Sequence, residues 1–171
     1  MKSIFYYNSP LGRILMEADE NALCGLWFVG QKHFPMEYLH AKAAENPPQI
    51  LADTALWLDS YFASEKPEIS ALMLAAEGSQ FSRRVWEILR TIPYGETITY
   101  GQIAKTLEAV TGKRVSAQAV GGAVGRNPIS IIIPCHRVVG VNGSLTGYAG
   151  GTERKAALLE LENENKDSPL K

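Results

Sequence analysis

Residues 130–140, SIIIPCHRVVG, bring an apolar run, a proline, a cysteine and a histidine into one short segment. A short apolar run closed by proline predicts a buried strand, because proline has no N–H to continue a ladder of hydrogen bonds. The fold must therefore enclose this segment, and we expect Ile131, Ile132 and Ile133 to form an interior strand. Reactive side chains are commonly presented where strands end, so Cys135 and His136 are the first candidates for a functional site.

Two interpretations of Cys135 follow from the residues alone. A histidine beside a thiol can remove its proton, directly or through a water molecule, and the thiolate is the reactive species. Neighbouring side chains on an extended chain point apart, so the pair also fits a buried cysteine next to a surface histidine. The other cysteine, Cys24 in ALCGLWF, fits a small buried hydrophobe. Two cysteines are too few for a disulfide framework, which favours a reducing, cytoplasmic setting.

The last predicted helix, TERKAALLELE at residues 152–162, offers a third member of a site. Leu158, Leu159 and Leu161 are expected to face the core, and helical phase places Glu162 on the same side. A carboxylate on an apolar face needs a cationic or imidazole partner, because an unpaired buried charge is costly. Glu160 lies off that face and is expected to be solvated.

Charge divides the chain into two unequal halves. The net charge is −1, but residues 1–80 hold five Lys and Arg against ten Asp and Glu, a net of −5. Residues 81–162 hold ten Lys and Arg against six Glu, a net of +4. A basic half can face an anionic partner, or its charges can simply be solvated. The sequence shows no signal peptide and no apolar run near the roughly 18 residues of a membrane span.

The first 76 residues predict a small sheet followed by a helix. SIFYYN, RILMEA and ALCGLWFV are separated by the turns SPLG and DEN, a pattern typical of a three-stranded antiparallel meander. PPQILADTALWLDSYFAS predicts a helix whose apolar face is made of Leu51, Ala55, Leu58 and Phe62. EISALML could rejoin the sheet, and AAEGSQ is expected to be a linker at the point where the charge balance changes.

The second half predicts helices in the order of a helix-turn-helix motif. SQFSRRVWEILRTI places four apolar side chains on one stripe: Phe81, Val85, Leu89 and Ile92. Thr99 and Gln102 have the spacing of a capping box at the start of the next helix. SAQAVGGAVGRN then begins at the N-cap Ser116 and carries three glycines, although each costs a helix about 1 kcal/mol. Such small side chains permit close approach either to a neighbouring helix or to a nucleic-acid groove.

These segments together resemble the O6-alkylguanine-DNA alkyltransferases, also called methylated-DNA–cysteine methyltransferases. The resemblance rests on FSRRVWEILRTIPYGETITYGQIAK, AVGGAVGRNPISIIIPCHRVVG, and GYAGG followed by ERKAALLELE. The N-terminal half agrees in length and in its PLG opening. The family implies a mixed α/β (α+β) fold. Residues 1–76 would form an RNase H-like domain with a small antiparallel sheet and a helix, and 79–163 a mainly helical domain with a helix-turn-helix or winged-helix-like core. Residues 164–171 would be a tail.

The resemblance implies a self-inactivating alkyl transfer that uses no cofactor and no metal. Cys135 would attack the alkyl carbon on guanine O6, and on O4-alkylthymine, and keep the group as a thioether. His136 would act as base through a water molecule, Glu162 would orient it, and Asn127 would brace the turn before the active-site segment. Tyr100 would help to rotate the nucleotide and protonate the leaving guanine.

The family also implies that the partner is duplex DNA, entered by a recognition helix through the minor groove, with the target base flipped out. The residues expected to contact the DNA or the flipped base are Ser116, Gln118, Ala119, Gly122, Arg126, Val138, Tyr148, Ala149 and Gly150. Gln118 stands where relatives usually carry an arginine that fills the gap left by the base, and Ala149 where some carry serine. Cys24 and His33 lack enough partners for the zinc site of some members.

The expectation is thus a monomeric, cytoplasmic DNA-repair methyltransferase that is not bound to membranes. Two other functions stay open at this stage. A non-catalytic binder of alkylated DNA would lack the cysteine that PCHRV contains. A cysteine hydrolase would generally bring its cysteine and histidine from distant parts of the chain.

Overall fold

A computed structural model of the chain describes residues 1–167. Its N-terminal part opens with three strands: β1 (Ser3–Ser9), β2 (Gly12–Ala18) and β3 (Leu23–Phe28). They pair antiparallel in the order β1-β2-β3, with Tyr6 opposite Leu15 and Leu15 opposite Trp27. This arrangement confirms the predicted meander. Short turns between β-rich segments favour pairing of each strand with the next one in the sequence.

Helix α1 (Gln49–Phe62) packs on this sheet, and its buried face is wider than predicted. Leu51 and Leu58 are buried as expected, whereas Ala55 and Phe62 are only half-buried. The remaining buried positions are Ile50, Thr54, Trp57 and Tyr61. The face is wider because α1 packs against the sheet and also reaches the C-terminal part through Tyr61, which contacts Glu162.

The predicted return of residues 68–74 to the sheet is confined to one bridge. Ile69–Ala71 form a 3-10 turn, after which Leu74 makes a parallel bridge to Leu23. The N–H of Leu23 donates to the Met73 carbonyl at 2.9 Å, and the N–H of Ala75 donates to the Leu23 carbonyl at 2.8 Å. The segment then runs without regular structure until residue 80, as expected of a linker.

Three helices follow: α2 (Gln80–Leu89), α3 (Tyr100–Thr111) and α4 (Ala117–Gly125). The Thr99–Gln102 capping box is present at the start of α3, and the Ser116 hydroxyl caps α4 by accepting from the N–H of Ala119. Helix α3 ends at Gly112, whose φ of 70° is a conformation that glycine adopts without strain. Helices α3 and α4 pack against each other and against α2, which confirms the helix-turn-helix.

The predicted strand at Ile131–Ile133 is wrong, although all three side chains are buried. The chain turns there instead, with Ile131 at a φ of 69°. The side-chain amide of Asn127 donates to the carbonyls of Ile129 and Ile133 and accepts from the N–H of Ile129, so it satisfies backbone groups that a strand would pair. Periodicity reports burial of a short apolar run but does not distinguish a strand from a buried turn.

After this turn, Cys135–Arg137 form a 3-10 turn that leads into β5 (Val138–Val139). Strand β5 pairs in parallel with β4 (Ile98–Thr99), which immediately precedes α3. The last helix in the described part of the chain is α5 (Thr152–Asn165), which extends two residues beyond the predicted end of the C-terminal domain at residue 163. The expected tail at 164–171 therefore overlaps the helix, and its residues 168–171 lie outside the described part of the chain.

The two parts of the chain share one hydrophobic core. Its largest cluster joins residues of the sheet and α1 to residues of α2, α3, α4, the 131–133 turn and α5. A smaller cluster of Ile4, Leu15, Trp27 and Phe34 covers the other face of the sheet. No helix within residues 1–167 combines the length and the hydropathy needed to span a bilayer.

Candidate active site and DNA-facing surface

Cys135 opens the 3-10 turn and is 4% exposed. Its N–H donates to the Ile133 carbonyl at 2.8 Å, so the preceding isoleucine turn fixes the position of the thiol. Burial raises the pKa of the Cys135 thiol. The Asn127 side chain, the Lys155 ammonium and nearby backbone N–H groups act in the opposite direction. The thiol is thus neutral at rest, with groups beside it that stabilise a thiolate once a base takes the proton.

His136 is fully buried and bonded to Glu162, with 2.6 Å between Nε2 and Oε2. A carboxylate can only accept, so the hydrogen-bond network assigns the imidazole proton to Nε2 and leaves a lone pair on Nδ1. Nδ1 is buried and has no hydrogen-bond partner among the described residues. Burial lowers the pKa of His136, which keeps the ring neutral. A neutral histidine with an available Nδ1 can accept a proton.

Glu162 is 1% exposed and accepts hydrogen bonds from four residues. These donors are His136 Nε2, Arg137 Nε at 2.7 Å and Nη2 at 3.2 Å, the Tyr61 hydroxyl at 2.5 Å and the Gly95 N–H at 3.1 Å. These contacts hold the pKa of the Glu162 carboxyl far below its usual range, against the effect of burial. The sequence predicted a cationic or an imidazole partner for this buried carboxylate, and the structure supplies both, the Arg137 guanidinium and the His136 imidazole.

Tyr100 and Lys155, whose pKa values both respond to the charge of Cys135, converge on one backbone carbonyl. The Tyr100 hydroxyl donates to the Thr146 carbonyl at 2.8 Å, and Lys155 Nζ donates to the same oxygen at 3.0 Å. Gly147 follows at a φ of 85°, and a Cβ there would lie 2.6 Å from the Tyr100 hydroxyl. The loop that contains Gly147 can therefore pass this close to the Tyr100 hydroxyl only with glycine at position 147.

Lys155 is a functional candidate that the sequence reasoning missed. Its side chain is fully buried, and burial lowers its pKa to about 8, against the influence of Cys135, which raises it. The signal was available, because Lys155 lies three residues before Leu158 and seven before Glu162 on the buried face of α5. Tyr61 was also missed, and no local pattern connects it to Glu162, 101 residues away.

We predict that Lys155→Met slows the methyl transfer expected from the sequence about tenfold at neutral pH, because the ammonium favours the thiolate and one pKa unit corresponds to about 1.4 kcal/mol. The rate constant is measured at saturating DNA. Lys105→Met removes an exposed lysine from the same basic half and is the control for a change in net charge. An unchanged rate constant in Lys155→Met would remove Lys155 from the mechanism.

The expected pocket wall lies at the end of the loop before α5. Tyr148 and Gly150 are buried, and Ala149 is half-buried. A Cβ at Gly150 would lie 2.5 Å from the Tyr148 ring, so this position requires glycine. The N–H of Lys32 donates to the Ala149 carbonyl at 3.1 Å, which ties the wall to the N-terminal part. Val138, in β5, is fully buried next to the 3-10 turn.

The expected recognition helix is α4, which the indole N–H of Trp86 anchors at the Ala123 carbonyl. Its outward positions Ser116, Gln118 and Ala119 are exposed, as is Arg126, whose Nη1 donates to the Gly122 carbonyl at 3.1 Å. These side chains are exposed, whereas those of Cys135, His136 and Glu162 are buried.

Cys24 is buried, as expected, with Sγ 3.6 Å from the Ala22 carbonyl. Within residues 1–167, no group of three or more His, Cys, Asp or Glu side chains could hold a metal ion.

Comparison with known proteins points to one family across both parts of the chain. Residues 4–76 match the family of the 6-O-methylguanine DNA methyltransferase ribonuclease-like domain, and residues 80–164 match that of its DNA-binding domain. The methylated-DNA–protein-cysteine methyltransferase of Mycolicibacterium paratuberculosis is 42% identical over 163 residues, which cover 95% of this chain and 93% of that protein. The Methanosarcina acetivorans protein of the same name is 43% identical over 157 residues, covering 91% and 95%.

Solved structures give the same result. Mycobacterium tuberculosis O6-methylguanine methyltransferase superposes with a TM-score of 0.81 at 39% identity, covering 99% of this chain and 98% of that one. Mycobacterium tuberculosis OGT in complex with DNA superposes with a TM-score of 0.78 at 41% identity, covering 94% and 92%. The chain therefore belongs to the 6-O-methylguanine DNA methyltransferase family.

Proposed function

We propose that the protein repairs O6-alkylguanine in duplex DNA by moving the alkyl group irreversibly to Cys135. The observation that carries the proposal is the buried Cys135–His136–Glu162 series, in which the imidazole is held by a carboxylate and keeps Nδ1 available. His136 takes the thiol proton, directly or through water. The sulfur attacks the alkyl carbon, a C–S bond forms, and the C–O6 bond breaks with its electron pair passing to guanine.

The guanine that leaves also needs a proton. Guanine leaves as an anion unless it is protonated, and the Tyr100 hydroxyl is the proposed donor. The proton that His136 took from the thiol then passes through water to the Tyr100 oxygen, so both side chains end in their starting protonation states. Asn127 supports the reaction by fixing the turn that carries Cys135. A thioether is not hydrolysed under ordinary conditions, so each molecule acts once. O4-alkylthymine is a second proposed substrate, because its alkyl–oxygen bond presents the same reacting carbon.

The alkylated base must leave the duplex to reach a thiol that is 4% exposed. We propose that Tyr148, Ala149, Gly150 and the Val138 carbonyl line the pocket that receives it. Unstacking a base costs a few kcal/mol, which contacts along the recognition helix must offset.

The glycines of α4 support DNA as the partner of this surface. A Cβ at Gly121 would lie 3.8 Å from the Tyr100 ring, and one at Gly125 would lie 3.8 Å from the Gly147 carbonyl, both ordinary contacts. At Gly122, the nearest atom is the mobile end of Arg126, at 3.1 Å. Packing inside the protein does not demand these glycines, so the close approach they permit is proposed to be to a DNA groove. Ser116, Gln118 and Ala119 would enter it, with Arg126 beside the DNA backbone.

A burst experiment tests the proposed function against the two alternatives. Protein is mixed with an excess of duplex DNA that carries one O6-methylguanine, and repaired DNA is counted over time. We expect repaired DNA to rise to one molecule per protein and then stop. Continued turnover would indicate a hydrolase, and binding without repair would indicate a non-catalytic sensor. We also propose that the protein acts as a cytoplasmic monomer.

We predict that Gln118→Arg strengthens base extrusion, because an arginine beside the vacated stack adds charge and a planar surface. The expected gain in transfer rate at subsaturating DNA is about fivefold, corresponding to about 1 kcal/mol. Gln49→Arg, on an exposed position of α1, controls for the added charge alone. If Gln118→Arg changes neither DNA affinity nor rate, Gln118 does not occupy the gap.

A further inference from the structure

The N-terminal part of the chain reaches the proposed active site through one side chain. Helix α1 places the Tyr61 hydroxyl 2.5 Å from Glu162 Oε2, the same oxygen that lies 2.6 Å from His136 Nε2. Tyr61 is 1% exposed, so water does not compete for this contact. One carboxylate oxygen therefore serves a donor from the N-terminal part and the proposed catalytic base together.

Aromatic packing fixes the Tyr61 ring. It stacks on Trp57 with 5.7 Å between centroids and an interplanar angle of 7°, and it meets Phe62 and Tyr94 edge-on at 5.3 Å and 6.2 Å. The indole N–H of Trp57 donates to the Glu68 carbonyl at 2.9 Å, which holds the stacking partner in turn. Because the ring cannot swing away, its hydroxyl is a permanent part of the Glu162 environment.

The Tyr61 hydroxyl keeps its proton well above neutral pH and so remains a hydrogen-bond donor. Burial and the Glu162 charge raise the pKa of Tyr61 well above its usual value, so the phenol keeps its proton. Each donor to a carboxylate oxygen draws electron density from it and weakens its attraction for the other donors. A donor at Oε2 therefore competes directly with His136 Nε2–H.

We propose that Tyr61 is a positioning residue through which the N-terminal part sets the orientation and proton affinity of His136. The expected effect of Tyr61 on the transfer rate rests on the proposed function, whereas its expected effect on the His136 imidazole does not. The charged and titratable groups that act on His136 are Glu162 and Lys155 from α5 and Arg137 from the 3-10 turn. Tyr61 acts through Glu162, and Tyr94 also lies near that carboxylate. Among these residues, Tyr61 belongs to the N-terminal part, and its hydroxyl contacts the same Glu162 oxygen, Oε2, as His136 does.

Tyr61→Phe tests the inference, because it removes the hydroxyl and keeps the ring stack. Two properties are measured: the titration of His136 by NMR in protein with labelled histidine, and the pH dependence of the transfer rate at saturating DNA. Without the competing donor, Glu162 accepts more strongly from Nε2–H and stabilises the imidazolium. We expect both midpoints to move upward by at least about half a pH unit.

Tyr7→Phe is the matched control. It removes another hydroxyl that donates to a carboxylate on α1, at 2.6 Å from Asp59 Oδ1, and it leaves Glu162 untouched. We expect both midpoints to match those of the unsubstituted protein. Midpoints of Tyr61→Phe that coincide with those of Tyr7→Phe would overturn the inference, because a tyrosine that only fills the core would leave His136 unaffected.

A second substitution keeps the test decisive if Tyr61→Phe does not fold. A fluorinated tyrosine at position 61 retains the ring and is a stronger donor, so we expect the His136 titration midpoint to move downward. An unchanged midpoint would refute the role of the hydroxyl. If the His136 midpoint moves as expected but the protein transfers no methyl group, the proposed function fails while the Tyr61 inference holds.

Discussion

Cys135→Ala is expected to abolish methyl transfer from O6-methylguanine DNA and to leave DNA binding intact. The sulfur is the atom that would form the new bond, and neither His136 nor Glu162 can replace it as a nucleophile toward the alkyl carbon. Cys135 is a small buried residue, so its loss removes little packing and costs about 1 kcal/mol of folding stability. Repaired DNA is measured after incubation with excess protein, and binding is measured by fluorescence anisotropy.

Cys24→Ala is the matched control for this substitution. Cys24 is also buried and free, but it lies in β3, and its thiol contacts Ala22 and Asp19 rather than the His136–Glu162 pair. We expect full transfer from this variant. Transfer that survives in Cys135→Ala, or that disappears in Cys24→Ala, would show that Cys135 is not the residue that accepts the methyl group.

Glu162→Gln is expected to have the second-largest effect, and it acts on rate and stability together. An amide can orient His136 but does not stabilise the imidazolium, so we expect transfer to slow about a hundredfold. Arg137, 6% exposed, loses its ionic partner, and breaking a buried pair from one side costs about 3 kcal/mol. Single-turnover kinetics and urea unfolding measure the two effects.

The stability effect of Glu162→Gln should depend on pH with a defined sign. The pKa of the Glu162 carboxyl in the folded protein lies far below its usual value, so its contribution is complete above the unfolded pKa of about 4.3. The contribution falls as the pH falls toward the folded pKa. The unfolding free energies of the two proteins should therefore converge in acid. Glu160→Gln, at an exposed position of α5, is expected to match the unsubstituted protein in rate and stability.

Local physics explains what the sequence predicted well. Helical phase alone put Glu162 on the buried face of α5, and the structure pairs it with His136 and Arg137. The caps at Thr99 and Ser116 were predictable because each side chain bonds a backbone N–H three residues away. Lys155 lay on the same helical stripe as Glu162, so the pattern contained it although it was not inferred.

The features that could not be predicted from the sequence depend on contacts between residues that are separated along the chain. The turn at Ile131–Ile133 depends on the Asn127 side chain, which satisfies the carbonyl of Ile133 six residues away. A positive φ at Ile131 is unfavourable for a β-branched residue, so no propensity indicates it. Tyr61 reaches Glu162 only because α1 packs against the shared core, a tertiary contact without a local signal.

The mass of the intact protein tests the central claim most directly. The protein is incubated with duplex DNA that carries O6-methylguanine, weighed by mass spectrometry, and digested to locate any modification. The account predicts a gain of one methyl group per molecule, carried by the peptide that contains Cys135. An unchanged mass after the DNA has been repaired, or a methyl group on any other residue, would contradict it.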